Sequence, residues 1–212
     1  MHNHYIYQRI CMFLLGILSM SIGIALSCRA GLGTSPISSI PWVLSMLLPL
    51  TFGQITIVMN VIFIAVQPVL LKKLYWRDLM GQFVTLLLLG YLIDCSMELL
   101  SFVAPQRLLA QWLYCILGTI ILALGVFLCV KAKIFVASGE GIVIAIAFAA
   151  KAKFSTVKNI FDITLVIISS IISLSEFGAF QGVGAGTIAA AILVGRWVQL
   201  YNTHCKFLPQ AS

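Results

Sequence analysis

Six long apolar runs, separated by short polar or charged breaks, set the plan of this chain: about residues 7–28, 52–71, 79–102, 108–130, 155–175 and 183–203. A helix rises about 1.5 Å per residue, so each run is long enough to cross the roughly 30 Å hydrocarbon core of a bilayer. Two shorter apolar runs, 36–49 and 139–150, are too short to span comfortably. Such lengths suit re-entrant or interfacial helices.

The pattern recurs after 102 residues without a gap. Gly23 meets Gly125, Leu26 meets Leu128, Arg29 meets Lys131, Ala30 meets Ala132, Ile40 meets Ile142, Phe52 meets Phe154 and Asn60 meets Asp162. Only five positions are identical between Gly23–Phe63 and Gly125–Leu165, so the evidence lies in the shared order. That order is long run, basic residue, polar loop, short run, long run. It reads as an internal duplication, with repeats over about 7–102 and 108–203 inside one membrane domain. With three residues inserted, Gly81 meets Gly186 and Gly90 meets Gly195.

Composition fixes the environment. The 212 residues are 61% hydrophobic and 9% charged, against about 25% charged in soluble domains. The net charge of +7 points to basic cytoplasmic loops rather than to nucleic acid. If both short runs dip in and return, Arg9, Lys72, Lys73, Arg77, Lys131, Lys133, Lys151, Lys153, Lys158, Arg196 and Lys206 share one side. Only Arg29 and Arg107 then lie on the other. If both short runs cross, the split is seven against six. The positive-inside rule selects the first arrangement, with both termini cytoplasmic. Three crossings per repeat then require the second repeat to be inverted. The expected fold is an all-α membrane protein of six transmembrane helices plus two short re-entrant helices in an inverted 3+3 repeat. Residues 1–28 read as a true helix rather than a removed signal, because the matching run that ends at Lys131 lies in mid-chain.

Chemistry is expected where the short helices begin. Ser35 suits an N-cap before Pro36, and Ser138 suits a cap before Gly139. Loops entering from opposite faces would bring two helix N-termini together near the membrane centre, with free N–H groups gathered there. Thr34, Ser35, Ser138, Gly139 and Glu140 would line that site, with Asn60 and Asp162 beside it. Against this, both short runs could be amphipathic interfacial helices. Gly53, Asn60 and Gln67 share one helix face, and Ser155, Asp162 and Ser169 match them. An ionisable residue inside a span is a functional hypothesis by default. Asp162 is therefore either a proton- or cation-linked group or the partner of Lys158 one turn away. Glu140 has no acidic counterpart, since Ser38 is its match. Arg29 and Lys131 either guard the two entrances or anchor to lipid headgroups. Asp94 and Glu98 fit an interfacial position. Gly182, Gly184 and Gly186 suit close helix packing.

Other chemistry finds little support. Cys11, Cys28, Cys95, Cys115, Cys129 and Cys205 form no CxxC or zinc spacing, and most read as small hydrophobes. His2 and His4 belong to a short tail. No HExxH, Ser-His-Asp set or clustered metal ligands argue for an enzyme, and no cofactor is expected.

The segment RAGLGTSPISSIP (Arg29 to Pro41), then Phe52-Gly53-Gln54, then GYLID (Gly90 to Asp94) resembles the YczE/YyaS/YitT family of bacterial multi-pass membrane proteins. The resemblance implies a bacterial inner-membrane protein; it brings no catalytic residues. The expected function is transport or channelling of a small polar or anionic solute. The rivals are a substrate-binding membrane subunit of a multi-component importer and a non-transporting accessory protein. The expected partners are the lipid bilayer, the solute and a second copy or partner membrane subunits.

Overall fold

A computed structural model describes residues 2–73 and 75–204, with the side chains of residues 2–5 left out. Cys205, Lys206 and the His2 and His4 side chains lie outside the described residues. The described chain is all-helical: α1 (His2–Arg29), α2 (Pro36–Leu47), α3 (Phe52–Leu71), α4 (Trp76–Leu99), α5 (Leu108–Ala132), α6 (Ser138–Ala149), α7 (Phe154–Phe177) and α8 (Ala185–His204). Five of these, α1, α3, α4, α5 and α7, are long and apolar enough to cross a membrane. The sixth expected span, α8, has the length at 20 residues but falls outside that set. Arg196, Gln199 and Asn202 lower the apolarity of its second half.

Local chemistry sets the helix ends. Thr51 and Gln54 form a reciprocal capping box at the start of α3. Asp94 reinforces it from α4, accepting from the Thr51 hydroxyl at 2.6 Å and from the Gly53 N–H at 2.7 Å. A carboxylate there also suits the positive end of the helix dipole. Pro36 opens α2 at a position where its missing N–H costs nothing. Lys72 and Lys133 end α3 and α5 in the left-handed conformation.

The centre of the fold is the α1–α5 pair, which runs antiparallel. At one end, Arg9 donates to the carbonyls of Ala132 at 2.8 Å and Lys133 at 2.5 Å. Further along, Gly16 lies against Gly125 and Gly23 against Gly118. Between lipid-facing helices there is little hydrophobic driving force, so close backbone packing at small residues does much of the holding. Ile17, Ala25, Ala123 and Phe127 are buried around this seam.

The remaining helices attach to that pair in a reciprocal pattern. α4 packs on α1, with the Ser96 hydroxyl 3.2 Å from Ser21 Oγ and Arg29 donating to the Met97 carbonyl at 2.7 Å. α8 packs on α5, with Gly186 beside Cys115 and the Tyr201 ring 5.8 Å from that of Phe127. α2 packs on α7 and α6 on α3. The pattern breaks once. α3 and α4 pack closely through Gly53 and Gly90, whereas α7 and α8 have at most glancing contact. Gly195, the counterpart of Gly90, has no heavy atom of another element within 4 Å of where a side chain would stand.

Candidate functional site

α6 starts halfway along α3. The Ser138 hydroxyl donates to Asn60 Oδ1 at 2.6 Å, and Asn60 Nδ2 donates to the Thr56 carbonyl at 2.7 Å. Ile142 and Val143 then pack with Phe63 and Leu70, so α6 follows the second half of α3 towards the Arg9 end of the bundle. α2 follows α7 in the same manner towards the other end. The Ser169 hydroxyl lies 3.0 Å from Ser39 Oγ, and the Trp42 ring is 5.3 Å from that of Phe52. At their starts the two short helices touch, with Gly139 against the Ile37 side chain. A side chain at Gly139 would collide with Ile37.

The expected residues around this junction are mostly buried: Thr34, Ser35, Asn60, Ser138 and Gly139. Ser35 is the N-cap of α2 by backbone geometry, but its hydroxyl turns to Ser38 Oγ at 3.0 Å instead of to a helix N–H. α6 starts at Ser138 rather than Gly139, with Ala137 as N-cap. Ser138 is thus not the expected cap; its hydroxyl is taken by Asn60. The Thr34 hydroxyl is fully buried beside the Cys28 thiol, with no oxygen or nitrogen partner among the described residues.

Asp162 makes no hydrogen bond to either short helix among the described residues. Lys158 binds it at 2.5 Å, one turn earlier on α7, and both side chains are partly exposed. The two matched stripes also differ. Gly53, Asn60 and Gln67 are all buried, whereas on α7 Ser169 is buried, Asp162 half-buried and Ser155 exposed. Lys131 lies 5.8 Å from the centre of the Phe127 ring, a cation–π distance.

Two concavities open towards opposite ends of the bundle, and the larger one reaches the start of α6 through Ala137, Glu140 and Gly141. The larger, about 680 Å³, lies between α3, α4, α5 and the 134–137 loop. Its rim carries the exposed Lys73, Tyr75, Asp78 and Lys133; Gln67, Gln82, Glu140 and Gly141 line its inner part. The smaller, about 390 Å³, is lined by Arg29, Trp42, Ser45, Thr51, Asp94 and Glu98 at the far end. Arg29 is held there by the Met97 carbonyl.

An amide pair closes the inner part of the larger cavity. Gln67 and Gln82 exchange hydrogen bonds at 2.9 and 3.0 Å. Gln67 also donates to the Ser138 carbonyl at 3.4 Å. Gly141 makes room for the pair, since a Cβ there would stand 2.9 Å from both polar atoms of Gln67. Gln82 was not among the residues expected from sequence; the signal for it was an amide inside a spanning run. Ser39 likewise gained meaning only through its contact with Ser169.

The comparisons with known proteins come down to one match. A family model described as "Family of unknown function (DUF6198)" covers residues 7–203. No curated protein and no solved structure matches the chain. By the extent of that match, the chain belongs to the DUF6198 family.

Proposed function

We propose that this integral membrane protein is a transporter or channel for a small polar solute, built as six spans and two re-entrant helices in an inverted 3+3 repeat. The observation that carries the reading is the meeting of the two short-helix N-termini, Gly139 against Ile37, beside a cavity that Glu140 and Gly141 line. Non-helical backbone at membrane depth is tolerated where protein buries it or where it lines a cavity. Discontinuous helices meeting near the midplane are a recurrent way of building a transport site.

The inverted arrangement has its own support. Contacts between α1 and α5 are reciprocal across the 102-residue shift: Gly16 with Gly125 corresponds to Gly118 with Gly23. Two antiparallel helices can be exchanged only by an axis lying across them, which is the membrane plane if they span. The Arg9 end, with Lys73 and Lys133, is then cytoplasmic by its positive charge. The inner membrane of a bacterium and kinship with the YczE/YyaS/YitT proteins belong to the same reading, supported by the Arg29–Pro41 segment. Glu140 beside the path disfavours an anion, so the solute is taken as neutral or cationic.

Swelling of proteoliposomes in a panel of small polar solutes, among them glycerol, urea and ethanolamine, tests this function. At least one solute should enter faster than into protein-free vesicles, and Ser138→Trp, which fills the junction, should return that rate to the blank. No solute above the blank, or an unchanged rate in Ser138→Trp, would refute it.

A further inference from the structure

Glu140 lines the larger cavity and hydrogen-bonds to no group among the described residues. It is half-buried, two residues into α6. Lys158 is near enough to act on it electrostatically, but that ammonium is bound to Asp162. Beside Gln67 and Gln82, much of the cavity wall is apolar, formed by residues such as Met20, Val126, Phe135 and Ile144. A carboxylate in such surroundings loses much of its hydration and gains strongly from a cation that hydrogen-bonds to it.

We propose that this cavity is a binding site for a small organic ammonium ion with an apolar body. The N–H donors meet Glu140, and the hydrocarbon lies along the apolar wall. The inference deepens the transport reading by naming its solute class, and it rests on that reading for its role in the cell.

Three observations favour this class over others. A cavity of about 680 Å³ falls within the range for small organic ligands, roughly 300–1,000 Å³. A divalent metal ion is a poor fit, because hard cations take about six or more oxygen ligands. No group of three or more His, Cys, Asp or Glu gathers among the described residues. An anion would meet the Glu140 carboxylate, and the nearby Lys158 ammonium is already bound to Asp162. Lys73 and Lys133 at the rim do not bar a cation. Both are exposed, so salt screens them beyond about 8 Å, and Asp78 stands with them.

The test is equilibrium dialysis of the full chain in lipid nanodiscs against labelled 2-phenylethylammonium, with empty nanodiscs as the blank. The anion of similar size, 3-phenylpropionate, is run beside it. Saturable uptake of about one ammonium per protein is expected, with little anion bound. Glu140→Gln should weaken the binding by roughly tenfold or more, as expected for the loss of a charge-assisted hydrogen bond. Ile144→Trp, which keeps the carboxylate and fills the cavity, should also weaken it and guards against misfolding of the first variant. The proposal is overturned if the wild type takes up no more ammonium than the blank. It is equally overturned if Glu140→Gln binds as well as wild type, or if the anion binds better. Binding without flux in proteoliposomes would remove the transport reading and leave the site standing; flux of neutral solutes without ammonium binding would do the reverse.

Discussion

Gly23→Val should destabilise the protein by about 3 kcal/mol or more, at the upper end of the cost of overpacking a tight interior. A Cβ at Gly23 stands 2.7 Å from the Gly118 carbonyl oxygen and from the Leu122 Cα. Both are backbone atoms of α5, which cannot rotate away. The helices must separate, and the seam that carries α4 on one side and α8 on the other opens with them. Lipid tails offer little hydrophobic compensation for lost helix contact. Gly118→Val should do the same, because its Cβ meets the Gly23 carbonyl at 2.9 Å. Gly195→Val is the control. It adds the same side chain to a helical glycine with no neighbour within 4 Å. Its effect should stay within about 0.5 kcal/mol. Unfolding of the three variants in mixed detergent micelles measures this; a Gly23→Val protein as stable as Gly195→Val would contradict the packing.

The amide pair gives the second large effect, with an unusual signature. Gln67 and Gln82 are 3% and 5% exposed, so water reaches neither freely. Gln67→Leu leaves the Gln82 amide without its donor and acceptor and removes a donor from the Ser138 carbonyl. A buried polar group left unpaired costs about 1–3 kcal/mol, so the single variant should lose roughly 2–3 kcal/mol. Gln82→Leu should lose a similar amount. The double variant replaces both partners with apolar groups and should lie within about 1 kcal/mol of wild type. The same unfolding assay measures the cycle. Additive losses would mean that the two amides do not act as a pair.

Much of the frame was legible in the sequence because membrane helices declare themselves by length and apolarity. The 102-residue offset reappears in the element starts: α2 and α6 begin at Pro36 and Ser138, and α3 and α7 at Phe52 and Phe154. Side-chain partners were less legible. Asn60 and Asp162 hold equivalent positions, yet Asn60 meets Ser138 on α6 while Asp162 is bound by Lys158. The counterpart of Lys158 is Thr56, which has no charge to offer. One substitution within a helical turn therefore separates the two roles. For Ser138 the local sequence suggests a local bond, and so a cap. At the centre of the bundle, an amide across the interface took the hydroxyl instead. Gln82 needed the α3–α4 register before it had a partner at all. The polar second half of α8 gave no warning from its first half, which is rich in Ala and Ile.

The inverted repeat is the claim on which the proposed function depends, and the sidedness of one equivalent pair tests it most directly. Leu50 and Ala152 correspond across the 102-residue shift, and both are exposed. Each is changed to cysteine in a cysteine-free background and treated on intact cells with a membrane-impermeant maleimide. Inversion predicts that Leu50→Cys is labelled from outside and that Ala152→Cys is labelled only after the membrane is opened. Labelling of both positions from the same side would make the repeats parallel and contradict the central claim.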